Sequence, residues 1–140
     1  MALLAAALSI AGAATLGALV ASAADAQWPT GEVLRSAMAA IRKATLDNHT
    51  LVTHRRMPPA SAVKFAEEIA REVDRIRTGA DVPPAAKPDL DALLADIASG
   101  AEAVAGRGGD VTPIDGILRV SEALARYPQR FDDPTWQPLR

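Results

Sequence analysis

Residues 112–127 read TPIDGILRVSEALARY and carry the clearest helix signal in the chain. Thr112 can cap a helix, Pro113 suits its first turn, and Asp115 stands three residues after the threonine, as in a capping box. Apolar and small side chains then recur every three or four residues, which predicts one buried face made of Ile114, Ile117, Val120, Ser121, Leu124 and Tyr127. The segment therefore predicts an amphipathic helix that stops at Pro128.

The first helix is predicted upstream, over residues 30–56. Thr30 can cap it, and the pair Pro58–Pro59 disfavours helical backbone, so the helix should end by about Arg56. The predicted core stripe is Val33, Leu34, Ala37, Met38, Ile41, Ala44, Thr45, Leu51 and Val52. Asn48 falls at the centre of this stripe. Since a buried amide needs partners, we expect it to fix the helix register or, alternatively, to face a ligand.

Two further helices are predicted between these segments. One runs from about Ala60 to Thr78, with Gly79 as a left-handed cap. Its predicted buried row is Ala62, Phe65, Ala66, Ile69, Val73 and Ile76. The other starts near Asp89 as its cap, and its seam is Leu90, Leu94, Ile97, Ala101 and Val104. Gly100 lies beside that seam, where it permits a neighbouring helix to approach closely.

Four amphipathic helices joined by short loops predict an all-α fold, an up-down-up-down four-helix bundle over residues 27–140. This order puts the start of the first helix and the end of the fourth at one pole. Trp28, Tyr127, Phe131 and Trp136 should gather there. We expect the tail FDDPTWQP, residues 131–138, to fold back and plug that end of the core. An aromatic ligand pocket at the same pole is the alternative.

Residues 1–26 have the features of an export signal peptide. No residue from Ala2 to Ala24 is charged, and small residues at the end of the segment form two A-x-A patterns of the kind that signal peptidase accepts. We expect cleavage after Ala26, with Ala23 as the alternative site and a retained membrane anchor as the alternative fate. Residues 27–140 are then expected in the periplasm, with membrane contact only through an uncleaved leader.

Composition excludes several classes of function. A net charge of −2, from 15 basic and 17 acidic residues, disfavours a nucleic acid partner. The chain has no cysteine, which excludes disulfides, thiolate metal sites and covalent haem. No G-x-S-x-G or H-E-x-x-H motif is present, so we do not expect an enzyme.

The sequence favours a non-enzymatic binding or accessory protein without a predicted cofactor. Its partner would be an envelope protein or a small ligand, and the alanine-rich seams allow a monomer or a homodimer.

Residues 49–59, HTLVTHRRMPP, form the one dense patch of potential chemistry. His49, His54 and Met57 are side chains that copper and other transition metals accept, so a metal-binding or sensing protein is the alternative function. Five residues of helix separate the two histidines by about 140° around the axis, which does not favour a simple chelate. Capping or surface histidines are the simpler interpretation.

The same patch suggests an anion site. Arg55 and Arg56 close the first helix, where cations offset the helix dipole. If the second helix begins near Ala60, its free amides lie close to both arginines and to Lys64. These three side chains are therefore candidate ligands for a small anion.

The leader, the four helices and the step Arg35-Ser36-Ala37-Met38 early in the first helix resemble the periplasmic cytochrome c′, c556 and b562 bundles. In those families a residue early in the first helix faces the haem, and the resemblance makes Met38 its counterpart. The fourth helix has neither C-x-x-C-H nor a histidine. The resemblance therefore implies a bundle scaffold of that kind without covalent haem, in which Met38 is a ligand-facing core residue.

Overall fold

The computed structural model describes residues 27–140, so the predicted leader and its cleavage sites lie outside the described residues. The helices are α1 (Glu32–Thr53), α2 (Pro59–Gly79), α3 (Lys87–Val104) and α4 (Pro113–Arg130), with a 3₁₀ turn at Pro84–Ala86 before α3. Two short strands, β1 (Trp28–Pro29) and β2 (Phe131–Asp132), pair in parallel. The predicted all-α class is confirmed for this part of the chain. None of its helices combines the length and apolarity needed to cross a membrane.

The four helices surround one apolar core. Each packs against its neighbours in sequence, and α1 also packs on α4. The buried rows predicted for α2 and α3 are confirmed in full. In α1 the prediction was wrong at two positions, because Val33 and Leu51 are 36% and 40% exposed. Both residues lie on the same edge of the predicted stripe, about 100° around α1 from their buried neighbours Leu34 and Val52.

α3 and α4 approach each other closely where Gly100 faces Gly116. A Cβ on Gly100 would lie 2.6 Å from the Gly116 carbonyl oxygen and 2.7 Å from a methyl of Val120. A Cβ on Gly116 would lie 2.5 Å from the Gly100 carbonyl oxygen. The predicted role of Gly100 in close approach is confirmed, and Gly116 supplies the matching surface.

Two predicted caps were wrong because the residues have other partners or another conformation. Thr30 does not cap α1, whose N-cap is Gly31. Its hydroxyl donates to the carbonyl oxygen of Asp132 at 2.6 Å and accepts from Nε of Arg35 at 2.7 Å, and so ties β1 to β2. Gly79 is the last helical residue of α2, and an extended Ala80 ends the helix in place of a left-handed glycine.

The predicted roles of Asp89 and Pro128 were also wrong. Asp89 lies in the first turn of α3, and its Oδ2 accepts from Nε1 of Trp28 at 2.8 Å and from the Arg130 guanidinium at 2.5 Å. Pro128 lies inside α4, which continues to Arg130. Proline has a helical φ and here costs only one hydrogen bond in the last turn, while the ion pair with Asp89 holds Arg130 in place.

The C-terminal tail folds back on the aromatic end of the core, as predicted. The Tyr127 ring stacks on Phe131 with centroids 5.5 Å apart and meets Trp136 edge-on at 4.8 Å. Arg42 of α1 donates to the carbonyl oxygens of Gln137 and Pro138 and holds the tail against the bundle. A pocket of about 340 Å³, lined in part by Trp136 and Leu124, remains between α4 and the tail, so the alternative of an aromatic ligand pocket stays a prediction.

Candidate functional site

A cavity of about 510 Å³ opens where α1 and α3 end and α2 and α4 begin, and we call it the end cavity. It is lined by Val52, Arg55, Met57, Pro59, Ala62, Val104, Ala105, Gly106, Thr112, Pro113 and Ile114. Its volume falls within the range of small-molecule sites, roughly 300–1,000 Å³. The cavity is therefore large enough for a ligand of several carbon atoms.

The walls of the end cavity are mainly apolar. Val52, Ala62 and Val104 belong to the buried core, and Met57 packs against that core while staying half-buried. Ile114, predicted as a core residue, is half-buried because its side chain meets the cavity rather than another helix. An apolar concave wall of this kind favours an apolar guest, because burial removes both surfaces from water.

A tight turn at the end of α1 forms one rim of the end cavity. The amide of Arg56 donates to the Leu51 carbonyl at 2.8 Å, and that of Arg55 donates to the Val52 carbonyl at 3.0 Å. This pair of bonds is the Schellman motif, which requires a left-handed residue just after the helix. Arg55 is that residue, with φ of 55°, and it is the one described residue other than glycine with positive φ.

The end of α3 forms the facing rim with the same motif. The Arg107 amide donates to the Glu102 carbonyl at 2.8 Å, and Gly106, with φ of 79°, occupies the left-handed position. Glycine is the usual residue there because it lacks a Cβ. The two rims thus share one backbone geometry but carry different side chains.

The two arginines near the end cavity differ in whether a carboxylate binds them. Arg107 donates twice to the Glu102 carboxylate, at 2.7 and 2.9 Å, and this bonding lowers the pKa of Glu102 and raises the pKa of Arg107. The Thr112 hydroxyl donates to the Asp115 carboxylate at 2.8 Å and caps α4, as predicted. Arg55 is exposed and forms no ion pair with any described residue.

The predicted metal ligands lie in different surroundings. His49 lines a separate pocket with Ser121 and Leu139, beside the C-terminal tail. His54 is the exposed C-cap of α1, and Met57 lines the end cavity. Within residues 27–140 no group of three or more histidine, aspartate or glutamate side chains is placed to hold a metal ion. Metal binding by these three residues stays a prediction.

The remaining predicted site residues also separate. Of the candidate anion ligands, Arg55 lines the end cavity, whereas Arg56 and Lys64 are exposed outside its lining. Met38 is completely buried in the core. Asn48 is half-buried rather than central to the core, and its amide donates to the Ala44 carbonyl of its own helix at 2.7 Å. That bond satisfies the amide locally, as Ser and Asn side chains often do.

Sequence reasoning missed the part of the cavity that comes from the α3–α4 connection. Val104 was predicted as core, and Thr112 and Pro113 were interpreted only as helix-end signals. Those signals were correct, yet they do not say whether the four helix ends meet or leave space between them. The missed property depends on the summed volume of side chains from four separate segments.

The opposite end of the bundle contains the strongest electrostatic perturbations. The Trp28 indole and the Arg130 guanidinium lower the pKa of Asp89 by hydrogen bonding to its carboxylate. Burial raises the pKa of Tyr127 well above its usual value, and the Asp133 carboxylate, 3.0 Å from the phenol oxygen, raises it further. These bonds join β1, α3, α4 and the tail, so they hold this end of the bundle together.

The described residues thus define a small all-α protein with four packed helices and an apolar end cavity. No family model, curated protein or solved structure matches the chain. The likeness to haem bundles accordingly stops at the four-helix architecture.

Proposed function

We propose that the protein is an exported, non-enzymatic binding protein that holds a small, largely apolar ligand in the end cavity. The observation that carries this proposal is the cavity of about 510 Å³ whose mainly apolar walls continue the hydrophobic core at one end of the bundle. Burying a ligand against such walls is favoured by about 0.8 kcal/mol for each methylene removed from water.

The proposal includes the up-down-up-down order of the helices. Support comes from the cavity lining, which combines the ends of α1 and α3 with the beginnings of α2 and α4. The parallel pairing of β1 with β2 agrees, because it brings the start of α1 beside the end of α4. Bundles commonly hold ligands between their helices, so this architecture suits a binding role.

The proposal also retains export to the periplasm. Its support is the uncharged, alanine-rich stretch at residues 2–24 with the A-x-A patterns before Gln27.

A binding role agrees with the lining of the end cavity, in which Arg55 and Thr112 carry the polar side chains and Thr112 is engaged in capping. The proposed function requires neither a metal nor a haem, and the partner is a small ligand.

The test is binding of a neutral apolar dye, N-phenyl-1-naphthylamine, to protein purified after expression of the full chain. We expect fluorescence enhancement at one site, and displacement by straight-chain alcohols. Each added methylene should tighten alcohol binding about fourfold until the cavity is full. Alcohols that bind without this dependence on chain length would contradict the proposal.

A matched pair of variants locates the site. Ala105 is half-buried and lines the cavity, so Ala105→Phe should place a ring in the space and abolish dye binding. Ala95 lies on α3, the helix that ends just before Ala105, and is exposed, so Ala95→Phe should leave dye binding unchanged. Thermal melts of both variants check that the fold is retained. Equal dye binding by the two variants would place the dye elsewhere.

A further inference from the structure

We infer that the ligand is a free, single-chain carboxylate amphiphile and that Arg55 binds its head group. This inference rests on the proposed function and adds the chemical class of the ligand. The apolar walls would hold the chain, and the guanidinium at the rim would meet the carboxylate. Arginine matches a carboxylate with two parallel N–H donors, so the pair has a defined geometry.

The charge of Arg55 is unmatched by any described carboxylate. It is exposed at the rim of the cavity, without an ion pair among the described residues. No aspartate or glutamate lines the cavity, whereas the nearby Arg107 is neutralised by two bonds to Glu102. A ligand with a negative head would therefore meet one available cation and no lining carboxylate.

The backbone conformation of Arg55 also favours a role for its side chain. Gly106 on the facing rim performs the same left-handed turn without strain, but Arg55 has a Cβ and is strained at φ of 55°. Helix closure alone would be served better by glycine. Strained residues persist where the side chain is needed, and here the strained residue is the charged one that lines the cavity.

Other occupants fit the same surface less well. A sugar or a free phosphate would leave the apolar walls without a matching group and would lose its own hydration. A second copy docked symmetrically over the cavity would bring the two Arg55 side chains towards each other, and like charges disfavour that contact. An apolar chain with a single anionic head satisfies both the walls and the rim.

The experiment compares decanoate with decanol as displacers of the neutral dye. In Arg55→Gln, decanoate should bind about three- to tenfold more weakly, because the charged pair lies at an exposed rim where water screens it, while decanol affinity stays unchanged. Arg55→Gly, which keeps the turn, should give the same loss, and Arg55→Lys should restore part of it. Arg56→Gln is the matched control, because Arg56 is the neighbouring exposed arginine outside the lining.

The outcomes separate this inference from the proposed function. The inference alone is overturned if dye and decanol bind normally but Arg55→Gln does not weaken decanoate binding. The same conclusion follows if Arg56→Gln weakens decanoate binding as much as Arg55→Gln does. A protein that binds neither dye nor decanol would overturn both. Two further results would assign the cavity to another occupant and overturn the inference. One is a dimer in sedimentation that Ala105→Phe dissociates and decanoate does not, and the other is binding to phosphatidylglycerol vesicles that Ala105→Phe abolishes.

Discussion

Substitution of Gly100 by alanine tests the close contact between α3 and α4. The new Cβ would lie 2.6 Å from the Gly116 carbonyl oxygen, a distance that real Cβ atoms essentially never show. The obstacle is backbone, so α3 and α4 would have to move apart. Overpacking of this kind costs about 2–3 kcal/mol, and alanine returns up to about 1 kcal/mol in helix propensity. We therefore expect a net destabilisation of about 1–2 kcal/mol, and a melting temperature lower by roughly 4–8 °C.

The matched control is Gly79→Ala at the end of α2. A Cβ at Gly79 would meet only a methyl of Val33 at 3.6 Å, an ordinary contact, and the backbone there is not left-handed. The same chemical change should be neutral or stabilise the protein by up to about 1 kcal/mol. Urea unfolding monitored by circular dichroism measures both variants. A Gly100→Ala protein as stable as Gly79→Ala would refute the close approach of α3 and α4.

A double substitution examines the same contact from both sides. Gly116→Ala should destabilise the bundle as Gly100→Ala does, since its Cβ would lie 2.5 Å from the Gly100 carbonyl oxygen. Once the helices have separated for one methyl, the second finds more room. The double variant should therefore lose less stability than the sum of the two single losses. Strict additivity would indicate that the two glycines do not share one contact.

Three further predictions concern the aromatic end and the turn after α1. The pKa of Asp89 is lowered in the folded state, so the ionised Asp89 carboxylate should stabilise the protein at neutral pH. This stabilisation should be lost as pH falls below 3.8, the ordinary pKa of an aspartate. Thermal melts of wild type and Asp89→Asn should therefore converge in acid. Tyr127 is the single tyrosine, and its pKa is raised, so the folded protein should show no phenolate absorbance in the near ultraviolet at pH 10. That absorbance should appear only at the higher pH at which the protein unfolds. A reversible titration of the folded protein near pH 10 would contradict the burial of Tyr127. Arg55→Gly should stabilise the protein by about 0.5–1 kcal/mol in urea unfolding because it relieves the left-handed strain, whereas Gly106→Ala should destabilise it by about 1 kcal/mol.

The buried faces of the helices could be predicted because they depend on local periodicity. All six predicted core residues of α2 are buried, and the cap of α4 is formed by the predicted threonine. Both features need only residues that lie within a few positions of each other. Amphipathic spacing and capping chemistry therefore carry this information in the sequence itself.

The errors at helix ends have a different cause, which is contact between distant segments. Asp89 has the chemistry of a cap, but Trp28 and Arg130 engage its carboxylate, and these residues are 61 and 41 positions away. The Thr30 hydroxyl likewise donates to the carbonyl oxygen of Asp132, 102 positions along the chain. No local rule could rank these partners above the nearest free amide, so tertiary contacts decided the role of each side chain.

The unequal filling of the two ends follows from where the chain places its large side chains. Trp28, Tyr127, Phe131 and Trp136 close one end, and there the core is filled by rings. At the other end the facing positions include Ala62, Ala105 and Gly106, whose small volumes leave the end cavity between the helices. Protein interiors otherwise approach the density of organic crystals, so space of this size represents lost packing energy. A larger residue at Ala105 would recover that energy, which is why Ala105→Phe should stabilise the fold while it removes ligand binding, as expected of a cavity kept for function.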